Sequence, residues 1–365
     1  MLRVEKGPVA LFGLDADLGL LISDFPPGAK LFDVVELTRK LVDIPSVTGE
    51  ERVVGEYLYD LLQQDGWQCR RQEVTSDRFN LVATAGDASV LLTTHLDTVP
   101  PFFPSSEDET FVYGRGACDA KGIAASMICA AQALREEGMA DLGLLFVVGE
   151  EIDSIGATKA SELDLKCSFF IDGEPTDNEL VVGHKGIVAA RLSAQGIAAH
   201  SAYPEKGDSA IHKLIDVLRE LKGMSLPNHP SLGDSYLNIG TIEGGRAANV
   251  VADSASAQIL IRSVVDSAHY VEIMEKVVAD RCQMEILKVS EPQVMESVEG
   301  FPTKVVGYGT DISALRTLGT PLLFGPGSIE DAHTAEEKIS KRELLGSVGL
   351  YQQLVKKLQE KIQQE

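Results

Sequence analysis

Residues 90–100 read Val90-Leu91-Leu92-Thr93-Thr94-His95-Leu96-Asp97-Thr98-Val99-Pro100. A short apolar run that ends in polar and turn-forming residues predicts a buried strand with chemistry at its carboxyl end. The same pattern returns at residues 81–84, 144–148, 168–171 and 321–324. Between these runs lie helical stretches, notably residues 121–137, where Ala, Met and Leu dominate and no Pro or Gly follows Gly122. Strands alternating with helices predict an α/β fold with a doubly wound, mostly parallel sheet. Ligands of such sheets gather beyond the carboxyl ends of the strands.

Upstream, apolar residues at helical spacing from Leu31 through Val42 predict one helix that ends near the turn-prone Ile44-Pro45-Ser46, and another runs over residues 49–64. Residues 8–22 are fairly apolar, but Asp15 and Asp17 interrupt them and they are too short to span a membrane; this leader reads as a hairpin or a packed extension. Downstream the texture changes. Residues 183–291 hold alternating segments at 188–193, 236–241 and 256–262, with helices near 209–221 and 268–282, and read as an inserted α+β unit. The first pattern then resumes and closes with a helix over residues 341–362, so the first domain is discontinuous, residues 1–182 and 292–365.

The chain has 365 residues, 44% hydrophobic and 24% charged, which suits a folded protein of two domains. Its formal charge of -22 argues against nucleic-acid and anionic-membrane partners, since phosphate binding needs clustered Lys and Arg. The cysteines Cys69, Cys118, Cys129, Cys167 and Cys282 form no C-x-x-C pair, and no secretion signal is evident. A reduced, cytoplasmic setting is the expectation.

Five motifs carry ionisable groups near the ends of apolar runs. His95-Leu96-Asp97 places an acid where it can orient a ligating imidazole, although His-x-Asp is also a common local hydrogen bond. Asp119, in Gly116-Ala117-Cys118-Asp119, precedes a helix and, taken alone, reads first as an N-cap. Glu150-Glu151 closes a buried strand, where two acids are costly without a compensating cation, or else forms an exposed acidic turn. Asp172 and Glu174 compete for one inward role. His333 follows a Gly-Pro-Gly loop. Imidazoles and carboxylates suit zinc, and a metal pair needs one bridging acid with about two further ligands per ion. A set with Asp119 as bridge, His95 and Glu174 on one ion, and Glu151 and His333 on the other leaves Glu150 over as base.

In order and spacing these motifs resemble the family of acetylornithine deacetylases, succinyl-diaminopimelate desuccinylases and glutamate-releasing carboxypeptidases. The resemblance spans Leu31 to Leu358. It implies two zinc ions, for which cobalt can substitute, held by His95, Asp119, Glu151, Glu174 and His333, with Glu150 and Asp97 catalytic. The Gly173-Glu174-Pro175 motif selects Glu174 over Asp172. The insertion matches the family's lid, which forms the dimer contact. Within it, Ala199-His200-Ser201 implies an oxyanion role for His200, from its own or a neighbouring subunit. Asn249 and Arg262 fall at positions that hold the substrate's α-carboxylate. The stretch Phe324-Gly325-Pro326-Gly327-Ser328-Ile329 looks most like the acetylornithine deacetylase branch, with Gly327 and Ser328 as substrate contacts. The implied reaction removes an N-acyl group, acetyl above all, from an amino acid such as ornithine, in amino-acid and arginine biosynthesis. A desuccinylase, a carboxypeptidase or dipeptidase, and a silent amino-acid-binding homologue are the alternatives.

Overall fold

Alternation along the buried strands divides the side chains of the main sheet between two cores. In the computed structural model, which describes residues 32–364, Leu81, Ala83, Leu92, Leu144 and Ile171 join one cluster with Leu37, Leu58, Ile123 and Leu344. Their neighbours Val82, Leu91, Leu145, Phe170 and Leu323 join the other, with Ala157, Ala160, Ile312 and Leu315. The period of two therefore puts helices on both faces, as the α/β reading requires. The leader at residues 8–22 and the first-helix start at Leu31 lie outside the described residues.

The sheet runs in the order Gln68–Thr75, Arg78–Ala85, Leu142–Val147, Val90–His95, Phe169–Asp172, Thr320–Leu323, Leu180–His184 and Gln293–Val294, and Thr303–Val306 also pairs with Leu180–His184. It is mixed. The four strands from Leu142–Val147 to Thr320–Leu323 are mutually parallel, their outer neighbours Arg78–Ala85 and Leu180–His184 join them antiparallel, and Thr303–Val306 pairs in parallel with Leu180–His184. The antiparallel edge follows from a hairpin: Gln68–Thr75 and Arg78–Ala85 are joined at Ser76-Asp77, and so short a link cannot cross over.

From Val90–His95 the chain crosses through the helix Lys121–Glu136 on one face to Leu142–Val147. It then passes the helix Ile155–Ala160 on the other face to reach Phe169–Asp172. The winding reverses at Val90–His95, and a crevice at such a strand end is where this class of sheet binds ligands. Every residue from Lys121 to Leu134 is buried, packed beneath Val34–Val42 and Lys341–Gln364. Helix propensity and burial agree there, because Ala and Gly122 let the neighbours approach closely.

Residues 186–290 build a second, four-stranded antiparallel sheet in the order Tyr236–Gly244, Ser254–Ser263, Gly186–Gln195 and Gln283–Ser290. Val188, Ala190, Leu192, Ile259 and Ile261 face the helices Ala210–Gly223 and Ser267–Val278 in a core of their own. The helix expected over 268–282 stops at Val278. Ala279 takes a positive φ of 45°, and the chain turns into the strand Gln283–Ser290.

Candidate active site

Three parallel strands end side by side, with His95 in register with Val147 and Thr93 with Asp172. His95 Nδ1 donates to the Asp97 carbonyl at 2.9 Å, which turns Nε2 toward Asp119 Oδ1, also at 2.9 Å. The other Asp119 oxygen lies 3.3 Å from His333 Nε2, which in turn lies 2.9 Å from Glu151 Oε2. Asp119 thus stands between the two imidazoles. The helix beside it is capped at Ala120 without a side-chain bond, so the carboxylate of Asp119 faces the site and not the helix end. His95, Asp119 and Glu151 present ligand atoms within 4.8 Å of one another.

Glu150 and Glu151 sit on a turn opened by Gly149, whose φ of +80° disfavours a side chain. Asp97 was expected to orient His95, yet its Oδ1 is 3.5 Å from His95 Nδ1 and its main partners lie elsewhere. Its oxygens accept the backbone N–H groups of Gly149 at 2.9 Å, Glu150 at 3.0 Å and Glu151 at 3.1 Å, together with Thr48 Oγ1 at 2.8 Å. Glu174 is 5% exposed and follows Gly173, where a Cβ would come within 2.5 Å of Ile123 and Met127. Glu174 is near enough to feel the charges of Asp119 and Glu150, and Tyr308 Oη donates to the Pro175 carbonyl at 2.8 Å.

The electrostatics separate these acids. Burial opposes ionisation of Asp119, but hydrogen bonds from His333 and His95 prevail and hold its carboxyl below the usual carboxylate range. Hydrogen bonds to Asp119 and Glu151 raise His333 to about 10. Burial works against a charged His95, yet its bonds to Asp119 and Asp97 hold it well above its ordinary value. Burial, then Asp311 and Asp119, drives Glu150 well above the carboxylate range, and burial with Asp119 and Glu150 does the same to Glu174. Buried carboxyls crowded around imidazoles are a donor set short of positive charge. Divalent cations supply that charge, so the residues fit a metal pair with nitrogen and oxygen ligands.

Asp311, which the sequence reading passed over, is 2% exposed and raises both Glu150 and Asp172; burial and Asp311 push Asp172 up to about 8. Glu337 was also missed. It is fully buried, and its Oε1 accepts the N–H groups of Gly116 at 2.9 Å, Cys118 at 3.1 Å and Asp119 at 3.1 Å. In a chain with 55 acidic residues neither carries a local signal, because burial comes only from pairing of distant segments.

The remaining candidates are more dispersed. His200 is exposed, with Nδ1 accepting from Ala202 N, and Ser201 N donates to the Asn249 carbonyl, so His200 and Asn249 meet in segments outside the strands of the second sheet, where His200 bridges Val250. Arg262 pairs with Tyr236 and has a buried Nη1 with no partner among the described residues. With Lys185, Tyr236 and Tyr308 it lines a cleft of about 500 Å³. Gly327 packs against Cys118 and donates to Glu343 at 3.2 Å, while the Ser328 carbonyl accepts from Cys118 Sγ. No helix among the described residues is long and apolar enough to cross a membrane.

A mixed α/β sheet with imidazoles and carboxylates converging beyond its parallel strands defines a metallohydrolase. The chain belongs to the peptidase family M20/M25/M40, whose model matches residues 91–357. A protein of Aspergillus terreus named as a probable carboxypeptidase is 37% identical, over 87% of this chain and 84% of its own length. Among solved structures, the aminopeptidase PepT of Bacillus cereus superposes with a TM-score of 0.74 at 22% identity, covering 89% of this chain and 97% of its own. The YXEP protein of Bacillus subtilis, described as a dinuclear metal-binding peptidase of the M20 family, gives 0.67 at 16% identity, over 88% and 96%.

Proposed function

We propose that the protein hydrolyses the amide bond of an N-acylated α-amino acid whose carboxylate is free, with two zinc ions held by His95, Asp119, Glu151, Glu174 and His333. The convergence of both imidazoles on the Asp119 carboxylate, one per oxygen, carries the reading. Bound zinc, for which cobalt can substitute, supplies Lewis acidity and a more acidic attacking water. Glu150, beside Asp119 and Glu151 and not among the ligands, accepts the proton of that water and returns it to the departing amine. Asp97 fixes the turn that carries Glu150. Arg262 receives the substrate carboxylate, for which its unpartnered guanidinium nitrogen is suited. His200 and Asn249 reach the reacting carbonyl and carboxylate as part of the 183–291 lid, in a cytoplasmic homodimer joined through it, and Gly327 and Ser328 border the acyl group.

N-acetyl is the favoured acyl group, with acetylornithine in arginine biosynthesis as the leading substrate. A second reading, release of a C-terminal residue from a peptide, is favoured by the name of the 37% identical relative. Both readings cleave an amide on the nitrogen of an amino acid with a free carboxylate. A hydrolysis screen of N-acetyl and N-succinyl amino acids against dipeptides, with zinc or cobalt added, separates them. Preference for dipeptides selects the second reading, and turnover without any transition metal ends both.

A further inference from the structure

The small sheet formed by Ser106–Glu107, Phe111–Tyr113 and Lys338–Ser340 pairs Lys338 with Tyr113. That register brings Glu337 opposite Gly114, and the Glu337 carbonyl accepts Gly114 N–H at 3.0 Å. The side chain then reaches beneath the loop leading to Asp119. One carboxylate oxygen collects the amides of Gly116, Cys118 and Asp119, and the other accepts from Arg115 Nη1 at 2.6 Å. Arg115 is itself 2% exposed, donates through Nε to the Pro101 carbonyl at 3.2 Å and stacks on Phe103. Four donors converge on a carboxylate with no exposed surface, and none of them belongs to the described metal ligands' side chains.

Four residues earlier in the same segment, His333 approaches the Asp119 carboxylate from the other side, at 3.3 Å. Residues 333–337 therefore grip Asp119 twice, by its side chain and by its backbone. Glu337 is not needed to neutralise the loop, because backbone amides carry no net charge; its charge is matched by Arg115. What it does is fix the path of the backbone that aims Asp119 and tie that path to the loop bearing His333.

We propose that Glu337 is the positioning residue that sets the distance and angle between the bridging Asp119 and His333, and so the affinity of the centre for its metal ions. The proposal rests on the metal-centre reading above. It makes Glu337 act through Asp119 with no contact to substrate.

The test uses the full chain. Glu337→Gln keeps an acceptor oxygen of the same reach and removes the charge. Glu337→Asp keeps the charge and withdraws it by one methylene. Zinc is titrated against a chromogenic chelator and normalised to the folded fraction from circular dichroism, and kcat and KM are measured separately. Both variants are expected to hold zinc about tenfold or more weakly, the range for partners behind metal ligands, with kcat reduced and KM nearly unchanged. Arg115→Lys, which leaves the three amide contacts in place, should lower thermal stability and keep zinc affinity near that of the wild type. Wild-type zinc affinity and kcat in the Glu337 variants, with only the melting temperature lowered, overturns the proposal, and so does equal zinc loss in Arg115→Lys. If the wild-type chain itself takes up no zinc, it is the metal-centre reading that falls.

Discussion

Glu150 donates its backbone N–H to Asp97 Oδ1 at 3.0 Å, so the acid assigned as base is held by its main chain while its carboxyl stays available. The neighbouring amides of Gly149 and Glu151 end on the same carboxylate, which is itself fully buried. Asp97→Asn would turn an NH₂ group toward amides that need an acceptor. A hydrogen bond to a charged group contributes roughly 1.5–3 kcal/mol, so stability should fall measurably in urea. Activity should fall about 10- to 100-fold, as is typical when the partner of a metal-site element is lost. An unchanged kcat would show that the turn holds its shape without Asp97.

Glu150 and Glu151 are adjacent, yet the structure gives them different company. Glu151 contacts His333 Nε2 at 2.9 Å, whereas Glu150 has Asp311 and Asp119 as its main acidic neighbours. Glu150→Gln should therefore cost about 10²- to 10⁴-fold in kcat with the metal content retained. Glu151→Ala should lower the metal content itself. Elemental analysis of both variants checks the pair, and metal loss confined to Glu150→Gln would exchange their roles.

Metal removal should destabilise the chain as well as silence it. Glu150 and Glu174 are both held far above the carboxylate range by burial and by nearby acids, so their ionised forms are costly without cations. A ligand bound only by the folded state adds about 2.7 kcal/mol at a hundred times its dissociation constant. Dialysis against a chelator should lower the melting temperature, and zinc or cobalt should restore it together with activity. Equal melting curves with and without metal would rule out an ion at these acids.

The parts of the fold that the sequence reveals are those buried on both faces. Val90–His95 and Leu142–Val147 are buried at every position, and their apolar runs were read within a few residues of their observed ends. Gln68–Thr75 went unread because it is an edge strand of alternating exposed and half-buried residues, with Arg70, Arg71 and Gln72 along its middle. Its strand character comes from pairing with Arg78–Ala85, which no local pattern announces. The site divides in the same way. His95, Asp119 and Glu151 follow strands or precede a helix, so their placement was legible. The carboxylate of Asp97 proved to serve the Glu150 turn more than His95, because the chain leaves the strand at His95 and the i, i+2 rule no longer applies. Glu337 became visible only through the register of Lys338 with Tyr113.

His184 offers a pH test away from the metal ligands. It ends the strand Leu180–His184, is fully buried, and has an Nε2 with no partner among the described residues; Nδ1 lies 3.3 Å from the Lys185 carbonyl. Burial therefore holds its pKa below the ordinary 6.5. Below pH 6.5 the unfolded chain takes up a proton at this residue that the folded chain refuses, so stability falls as pH falls through that value. Above it both states are neutral and the residue contributes no pH dependence. The other histidines and the acids titrate too, so the comparison must be with a variant: urea midpoints of wild type and His184→Gln, each at pH 7.5 and 5.5. The wild type should lose more stability than the variant on acidification, and chain entry into the second sheet, which begins at Gly186, should loosen first. Parallel losses in the two proteins would mean that His184 takes up its proton in the folded state, contrary to the burial seen here.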